Sequence, residues 1–331
     1  MWISTGQEAA AMLGRIVELA TDGGRMGVDR GFLTITNDNV SGRVPLDDVE
    51  AVIASARGLT YSNAALAALA ERGAPLVICG RDYAPAAVLL PVNGHFEQGL
   101  RMSAQASATK PVNKRLWAQT VRAKIIAQSL ALDRIGASSA RLKRLAEAVR
   151  SGDPDNCEAQ AAQAYWPAFM GDGFRRDRVS GGVNALLNYG YAVLRAATAR
   201  AVVGAGLHPS LSLHHVSRGE ALRLADDLME PFRPAIDLIA RDLRDEGVEE
   251  VTPAAKLRLA GALHLDYHAE AGRVPLSNCL SRLSGSLAKV YLKETDRLAF
   301  PRPLLPIAEP SEPGSRDDLD HELGAHGDEA A

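Results

Sequence analysis

Hydrophobic and polar positions divide the chain into two parts of different period. Up to about residue 92 the apolar residues come in short or alternating runs: "RIVELA", "RMGVD", "FLTIT", "VEAVIA", "PLVICG" and "PAAVLLPV". Turn-forming clusters such as "DGG", "DRG" and "NDN" separate them, as expected of short strands. One helix interrupts, "SNAALAALAERG", with Ser62 or Asn63 placed to cap its start and Gly73 just past its end. From about residue 96 the spacing changes to three and four. In "NKRLWAQTVRAKIIAQSLAL", Leu116, Trp117, Val121, Ile125 and Leu132 recur at helical intervals. The segments "SSARLKRLAEAVRSG", "DNCEAQAAQAYWPAFMG", "VNALLNYGYAVLRAATARAVVGAG" and "GEALRLADDLMEPFRPAIDLIARDLRDEG" follow the same rule, and two more helices are expected within 253–298.

The predicted fold class is therefore α+β. A β-rich, sandwich-like domain with one helix spans 1–92 and is suited to dimerisation or docking. A mostly α-helical domain spans 96–300. A Pro-rich, acidic stretch over 301–331 is expected to be disordered.

Composition narrows the class. At 47% hydrophobic and 23% charged residues, the chain reads as an ordinary globular protein. No uncharged apolar run reaches membrane-spanning length, so no membrane partner is expected. The N-terminus has neither the basic start nor the cleavage pattern of a secretory signal. Cys79, Cys157 and Cys279 are far apart and form no CxxC pair, which argues against a disulfide framework or thiolate zinc site and fits a cytoplasmic protein. The net charge of −3 is uneven. Residues 309–331 hold eight acidic residues against Arg316 alone, so the remaining body is mildly basic, which permits a nucleic-acid partner.

The densest chemistry lies in 207–237. Three of the eight histidines fall in "LHPSLSLHH", and Asp226, Asp227 and Glu230 follow. Ala225, Leu228, Met229, Phe232, Ile236, Ile239 and Leu243 form an apolar stripe; the three acids lie off it as neighbours. From spacing alone this is a solvated acidic face, partly offset by Arg223 and Arg233. Pro231 and Pro234 must bend the helix. Upstream, Glu158 shares a helix face with Ala161, Ala162, Tyr165 and Phe169. It is either a carboxylate carried into the core or the last member of a capping box begun by Asp155. A set of histidine and carboxylates suits Mg2+ or Mn2+ better than structural zinc. "HLDYH" has the histidine spacing of HExxH but lacks its glutamate, and "GAG" at 204–206 ends a helix and is not a dinucleotide loop. Lys110, Lys114, Arg115, Arg122 and Lys124, and Arg175, Arg176 and Arg178, form two basic clusters that suit a phosphodiester backbone or a solvated surface.

Four blocks in order, "EAQAAQAYW" at 158–166, "NALLNYGYAVLRA" at 184–196, "GLHPSLSLHH" at 206–215 and "DDLMEPFRPAID" at 226–237, resemble the CRISPR-associated integrase family that inserts new spacers during adaptation. "GGRMGVDRGFLTI" and "VPLDDVEAVI" look like that family's β-domain, and the resemblance runs over roughly 14–300, closest to the versions of type II systems. It implies a β-domain followed by a helical domain, working as a homodimer. It implies a metal site of Glu158, His215 and Glu230, with His214 and Asp227 beside it. Ser212 stands where that block usually has glycine. Tyr165, Asn184 and Arg233 are candidates to support the site or orient phosphate. The implied reaction is metal-assisted transesterification, a DNA 3′-hydroxyl attacking a phosphodiester at the repeat boundary. The implied partners are DNA, a small ferredoxin-like CRISPR protein that joins two integrase dimers into a heterohexamer, and the RNA-guided effector nuclease. A metal-dependent nuclease of another role and a non-catalytic DNA-binding scaffold are the competing classes.

Overall fold

The short alternating runs pair into two four-stranded sheets. The computed structural model describes residues 15–37, 41–80, 85–177, 179–215, 221–270 and 272–307. The N-terminal elements are β1 (Arg15–Leu19), β2 (Arg25–Asp29), β3 (Phe32–Thr36), β4 (Ser41–Pro45), β5 (Val49–Ala54), β6 (Thr60–Tyr61), α1 (Asn63–Glu71), β7 (Leu76–Cys79) and β8 (Pro85–Leu89). One sheet has the order β1-β5-β7-β8, parallel up to the antiparallel β7–β8 pair; the other has the order β4-β3-β2-β6. Ser62 caps α1, its Oγ accepting from the Ala65 N–H. Leu19, Met26, Leu33, Val44, Val52, Leu69 and Leu76 lie in one core shared by both sheets and α1. β4 and β6 escape the periodicity reading. "SGRVP" and "TY" carry little apolar alternation and become strands by pairing with β3 and β2.

The helical part consists of α2 (Gln98–Ala106), α3 (Lys110–Arg134), α4 (Ala140–Ala148), α5 (Cys157–Met170), α6 (Val183–Gly204), α7 (Arg223–Met229), α8 (Arg233–Asp245), α9 (Pro253–Gly261) and α10 (Leu276–Tyr291). Trp117, Ile125, Tyr165, Leu194, Leu228, Phe232, Ile236 and Leu280 belong to its core. α3 packs on α4, α5 and the turn after α7, while α6 touches α7, α8, α9 and α10. Gly190 permits the close α6–α8 approach, since a Cβ there would lie 2.4 Å from Ile236 Cγ2.

The single long helix expected over 219–247 is two. A 3-10 turn over Glu230–Phe232 separates α7 from α8. Pro231 and Pro234 each sit within the first two positions of their own element, where the missing N–H breaks no bond. Between α9 and α10 lies an unpredicted hairpin, β9 (Asp266–Ala269) with β10 (Gly272–Pro275). It puts His268 on a strand and His264 in a 3-10 turn, so their spacing does not make a helical zinc motif. Residues 301–307, expected in the tail, pack on the body: Leu304 and Leu305 are buried, and the Arg302 and Ile307 N–H groups donate to the carbonyls of His268 and Asp266. The acidic stretch of 309–331 lies outside the described residues. Among the described residues no helix is long and apolar enough to cross a membrane.

Candidate metal centre

Glu158 sits in the first turn of α5, and its cap decides what its side chain can do. Of the two readings of Glu158, the capping box of "DNCE" does not form. Asp153 accepts from the Cys157 and Glu158 N–H groups at 2.8 and 3.0 Å, while Asp155 is turned out to Arg150. Asn156, at φ 54°, takes the left-handed turn that brings Asp153 over the helix start. The Glu158 carboxylate is thereby released from capping and projects toward α3.

The acidic segment is not a solvated face. Asp226 is held by Arg195 through two contacts of 2.6 and 2.7 Å. Asp227 is fully buried and accepts from the Leu213, His214 and His215 N–H groups at 2.6, 3.2 and 3.4 Å. Glu230 is 3% exposed, with Arg233 at 3.0 Å. The compensating groups come from α3, α6 and the 213–215 loop, outside the helix that carries the acids. Arg223, an expected partner, donates instead to the Ser210 carbonyl.

The adjacent histidines have different surroundings. The His214 ring stacks flat on Trp117 of α3, centroids 4.5 Å apart and planes at 3°. His215 Nδ1 lies 2.6 Å from Asp227 Oδ1, which raises its pKa above the ordinary imidazole value. With Nδ1–H donating to Asp227, Nε2 is the nitrogen left to bind a ligand, an arrangement typical of metal-binding histidines. Ser212 closes the loop by donating to the His215 carbonyl at 2.5 Å. His208, the third histidine of the segment, turns to Ser210.

At the centre stands Lys124. Its Nζ is 2.6 Å from Glu158 Oε1 and 2.6 Å from Glu230 Oε2. The first contact is a hydrogen bond; the second is off the hydrogen-bonding direction, so the buried Glu230 Oε2 has a cation beside it but no hydrogen bond. Burial opposes the charge on both Glu230 and Lys124. The neighbouring Arg233 and Lys124 nevertheless hold the Glu230 carboxyl below its usual range, and Glu230 with Glu158 raises the Lys124 ammonium. Lys124 therefore does not stand with the exposed Lys110, Lys114, Arg115 and Arg122.

Glu158, Glu230 and the imidazole of His215 have the donor chemistry of a hard divalent cation site, and the buried Glu230 Oε2 is compensated there by the Lys124 ammonium. Among the described residues no three His, Cys, Asp or Glu groups are placed to hold a metal ion, and the lysine ammonium lies against both Glu158 and Glu230. A cavity of about 720 Å³ adjoins the site between the first sheet and the helices. Its lining includes Ser55, Arg176, Tyr191, Arg195, His215, Glu230, Arg233 and Lys256.

Of the remaining candidates only Arg233 touches the site, through Glu230. Tyr165 is fully buried, its hydroxyl donating to Asp237 at 2.9 Å. Asn184 accepts from Arg176 and the Asp177 N–H and donates to the Arg175 carbonyl, fixing 175–177 against α6. Arg233 lies over the Tyr191 ring at 4.8 Å. Arg175 is exposed; Arg178 lies outside the described residues. Arg195 and Lys256 were not among the expected residues. They sit on the polar edges of α6 and α9, with no local signal to distinguish them from other surface cations.

Residues 17–250 match the family model described as CRISPR associated protein Cas1. A CRISPR-associated endonuclease Cas1 of Neisseria meningitidis serogroup C (strain 8013) is 37% identical over 296 residues, covering 88% of this chain and 97% of that protein. A CRISPR-associated endonuclease Cas1 of Pyrobaculum aerophilum is 30% identical, over 82% and 98%. Among solved structures, a casposase bound to integration product superposes with a TM-score of 0.75 at 20% identity, over 87% of this chain and 94% of that one. A Cas1 protein from Thermotoga maritima gives 0.70 at 15%, over 84% and 97%. These two structural likenesses speak for the fold.

Proposed function

The chain belongs to the Cas1 family of CRISPR-associated proteins, and from that premise we propose that it is a metal-dependent DNA integrase and endonuclease acting in spacer acquisition. The reading rests on its relatives, which are endonucleases by name, and on one observation: Glu158 and Glu230, from separate elements, converge on the Lys124 ammonium, and Glu230 lines a cavity together with His215, Arg176, Arg195 and Arg233. In the reaction the 3′-hydroxyl of a new DNA fragment gives up its proton to solvent and its oxygen forms a bond to phosphorus at the repeat boundary. The P–O bond of the repeat strand breaks, and the departing oxygen takes up a proton. With water as nucleophile the same exchange is strand cleavage.

Glu158, His215 and Glu230 would hold Mg2+ or Mn2+, whose Lewis acidity polarises the phosphoryl oxygen and offsets charge in the transition state. Asp227 would fix the ring and tautomer of His215, leaving Nε2 as the nitrogen to coordinate. Arg233, Arg195 and Arg176 line the cavity, two of them paired with Glu230 and Asp226, and are the guanidinium groups suited to contact a phosphodiester. Lys110, Lys114, Arg115 and Arg122 on α3 are suited to carry the flanking duplex.

The working unit in this reading is a homodimer. Two such dimers are bridged by a small ferredoxin-like CRISPR protein in a heterohexamer, with the effector nuclease joining in fragment selection. A solved Cas6-RT-Cas1–Cas2 complex contains a chain of this fold, with a TM-score of 0.70 at 18% identity over 89% of this chain and 36% of that one, which supports an assembly of that kind.

The test is a strand-transfer assay with a supercoiled repeat-bearing plasmid, a labelled DNA fragment and Mn2+. Joined product that disappears with Glu158→Ala and with His215→Ala is expected. Joining that survives either substitution overturns the site. Metal-dependent cutting without joining would favour a nuclease of another role, and neither reaction would favour a scaffold.

A further inference from the structure

Lys124 is unlike the other cations of α3. Its side chain is 12% exposed and lies among buried neighbours: Thr120 is one turn before it, Gln128 one turn after, and Val121 and Ile125 are beside it. Burying an ammonium is costly unless carboxylates compensate it. Two do, Glu158 from α5 and Glu230 from the turn after α7, each at 2.6 Å. These are the two carboxylates assigned above to a divalent cation, and the present inference rests on that assignment. A dication on these two carboxylates would lie close to the ammonium, where like charges in a poorly hydrated site repel strongly, and both draw on the same carboxylate charge. Lys124 has four rotatable bonds and a compact head, so it can leave the oxygens without α3 moving.

We propose that Lys124 is a built-in counter-cation of the metal centre: its ammonium keeps Glu158 and Glu230 paired in the metal-free protein and is expelled when a divalent ion enters. Metal binding is then an exchange of one cation for another. Two consequences follow. The metal-free site stays assembled in place of splaying under carboxylate repulsion. Apparent metal affinity is set by competition with an internal group, so removing the competitor strengthens binding. An ordinary structural salt bridge predicts the reverse, since loosening the carboxylates would weaken metal binding.

The experiment titrates Mn2+ into the full chain and follows loss of the free-ion electron paramagnetic resonance signal, with thermal melts in chelator and in Mn2+. Lys124→Met is expected to bind Mn2+ at least tenfold more tightly than wild type, to melt lower in chelator, and to gain more from Mn2+. Lys124→Arg keeps the charge and can bridge both carboxylates with its planar fork; it is expected to bind Mn2+ several-fold more weakly than wild type. Should Lys124→Met fail to fold, the Lys124→Arg result decides. Equal or weaker binding by Lys124→Met, or unchanged binding by Lys124→Arg, overturns the exchange. If Glu158→Ala abolishes Mn2+ binding in the same series, the metal-site reading stands even so. Mn2+ binding that survives Glu158→Ala overturns the metal-site reading and the exchange with it.

Discussion

Glu230 and Asp237 lie seven residues apart, both buried, yet the protein treats their charges differently. Around Glu230 it gathers cations, Lys124 at 2.6 Å and Arg233 at 3.0 Å, and the carboxyl is held below its usual range. Around Asp237 it gathers hydroxyls. Tyr165 donates to one oxygen and Tyr191 to the other, Arg233 and Arg176 stand farther off, and burial pushes the carboxyl up to about 6. Two neutral donors relieve a buried carboxylate less than two adjacent cations do. Both stand within reach of Arg233. The partners make one a permanently charged ligand candidate and the other a titratable strut that fastens α5, α6 and α8 together.

The largest expected effect is on the charged member. Glu230→Gln keeps the shape but removes the charge, and should lower strand transfer by about a hundredfold or more, the scale of losing one electrostatic element of a transition-state site. Asp237→Asn should stay within a few-fold in the same assay. Equal losses from both would erase the functional distinction between them.

Next comes the residue that orients the histidine. Asp227→Asn weakens the hold on His215 and on the 213–215 backbone, and should lower Mn2+ affinity about 10- to 100-fold, read by titration. His214→Ala should cost packing on Trp117 but change Mn2+ affinity little.

The third test is pH. Because the Asp237 carboxyl sits near 6 in the folded chain against 3.8 ordinarily, the folded state holds its proton more tightly than the unfolded state. Its contribution to stability is therefore fully present below about pH 4, falls as pH rises through about 6, and levels off above. The amplitude is at most about 3 kcal/mol. Denaturant melts from pH 4 to 7 should show this decline in wild type and a flatter profile in Asp237→Asn.

The smallest effect belongs to a single hydroxyl. Tyr191→Phe leaves one Asp237 oxygen without its donor and should cost about 1–3 kcal/mol in a denaturant melt, with Mn2+ affinity unchanged.

What the chain determined by itself was the order of elements and the location of the chemistry. Period two before residue 92 and period three to four after 96 yield strands and then helices, because alternation and helical spacing are local properties of the backbone. The apolar stripe of α5 already carried Glu158 on the buried side, and the four-block resemblance singled out Glu158, His215 and Glu230. β4, β6 and the β9–β10 hairpin were not legible, since a strand with weak alternation exists only when a neighbour supplies its hydrogen bonds. The tertiary structure alone supplied the physical difference between His214 and His215, Trp117 against one ring and Asp227 against the other. It alone moved the cap of α5 from Asp155 to Asp153 and freed Glu158. It also turned Lys124 from one of five basic residues on a helix into the centre of the site. The reason is common to all three. Sequence spacing fixes which face of an element a side chain occupies, whereas the charge it keeps, and so its chemistry, depends on partners that only the fold brings within bonding distance.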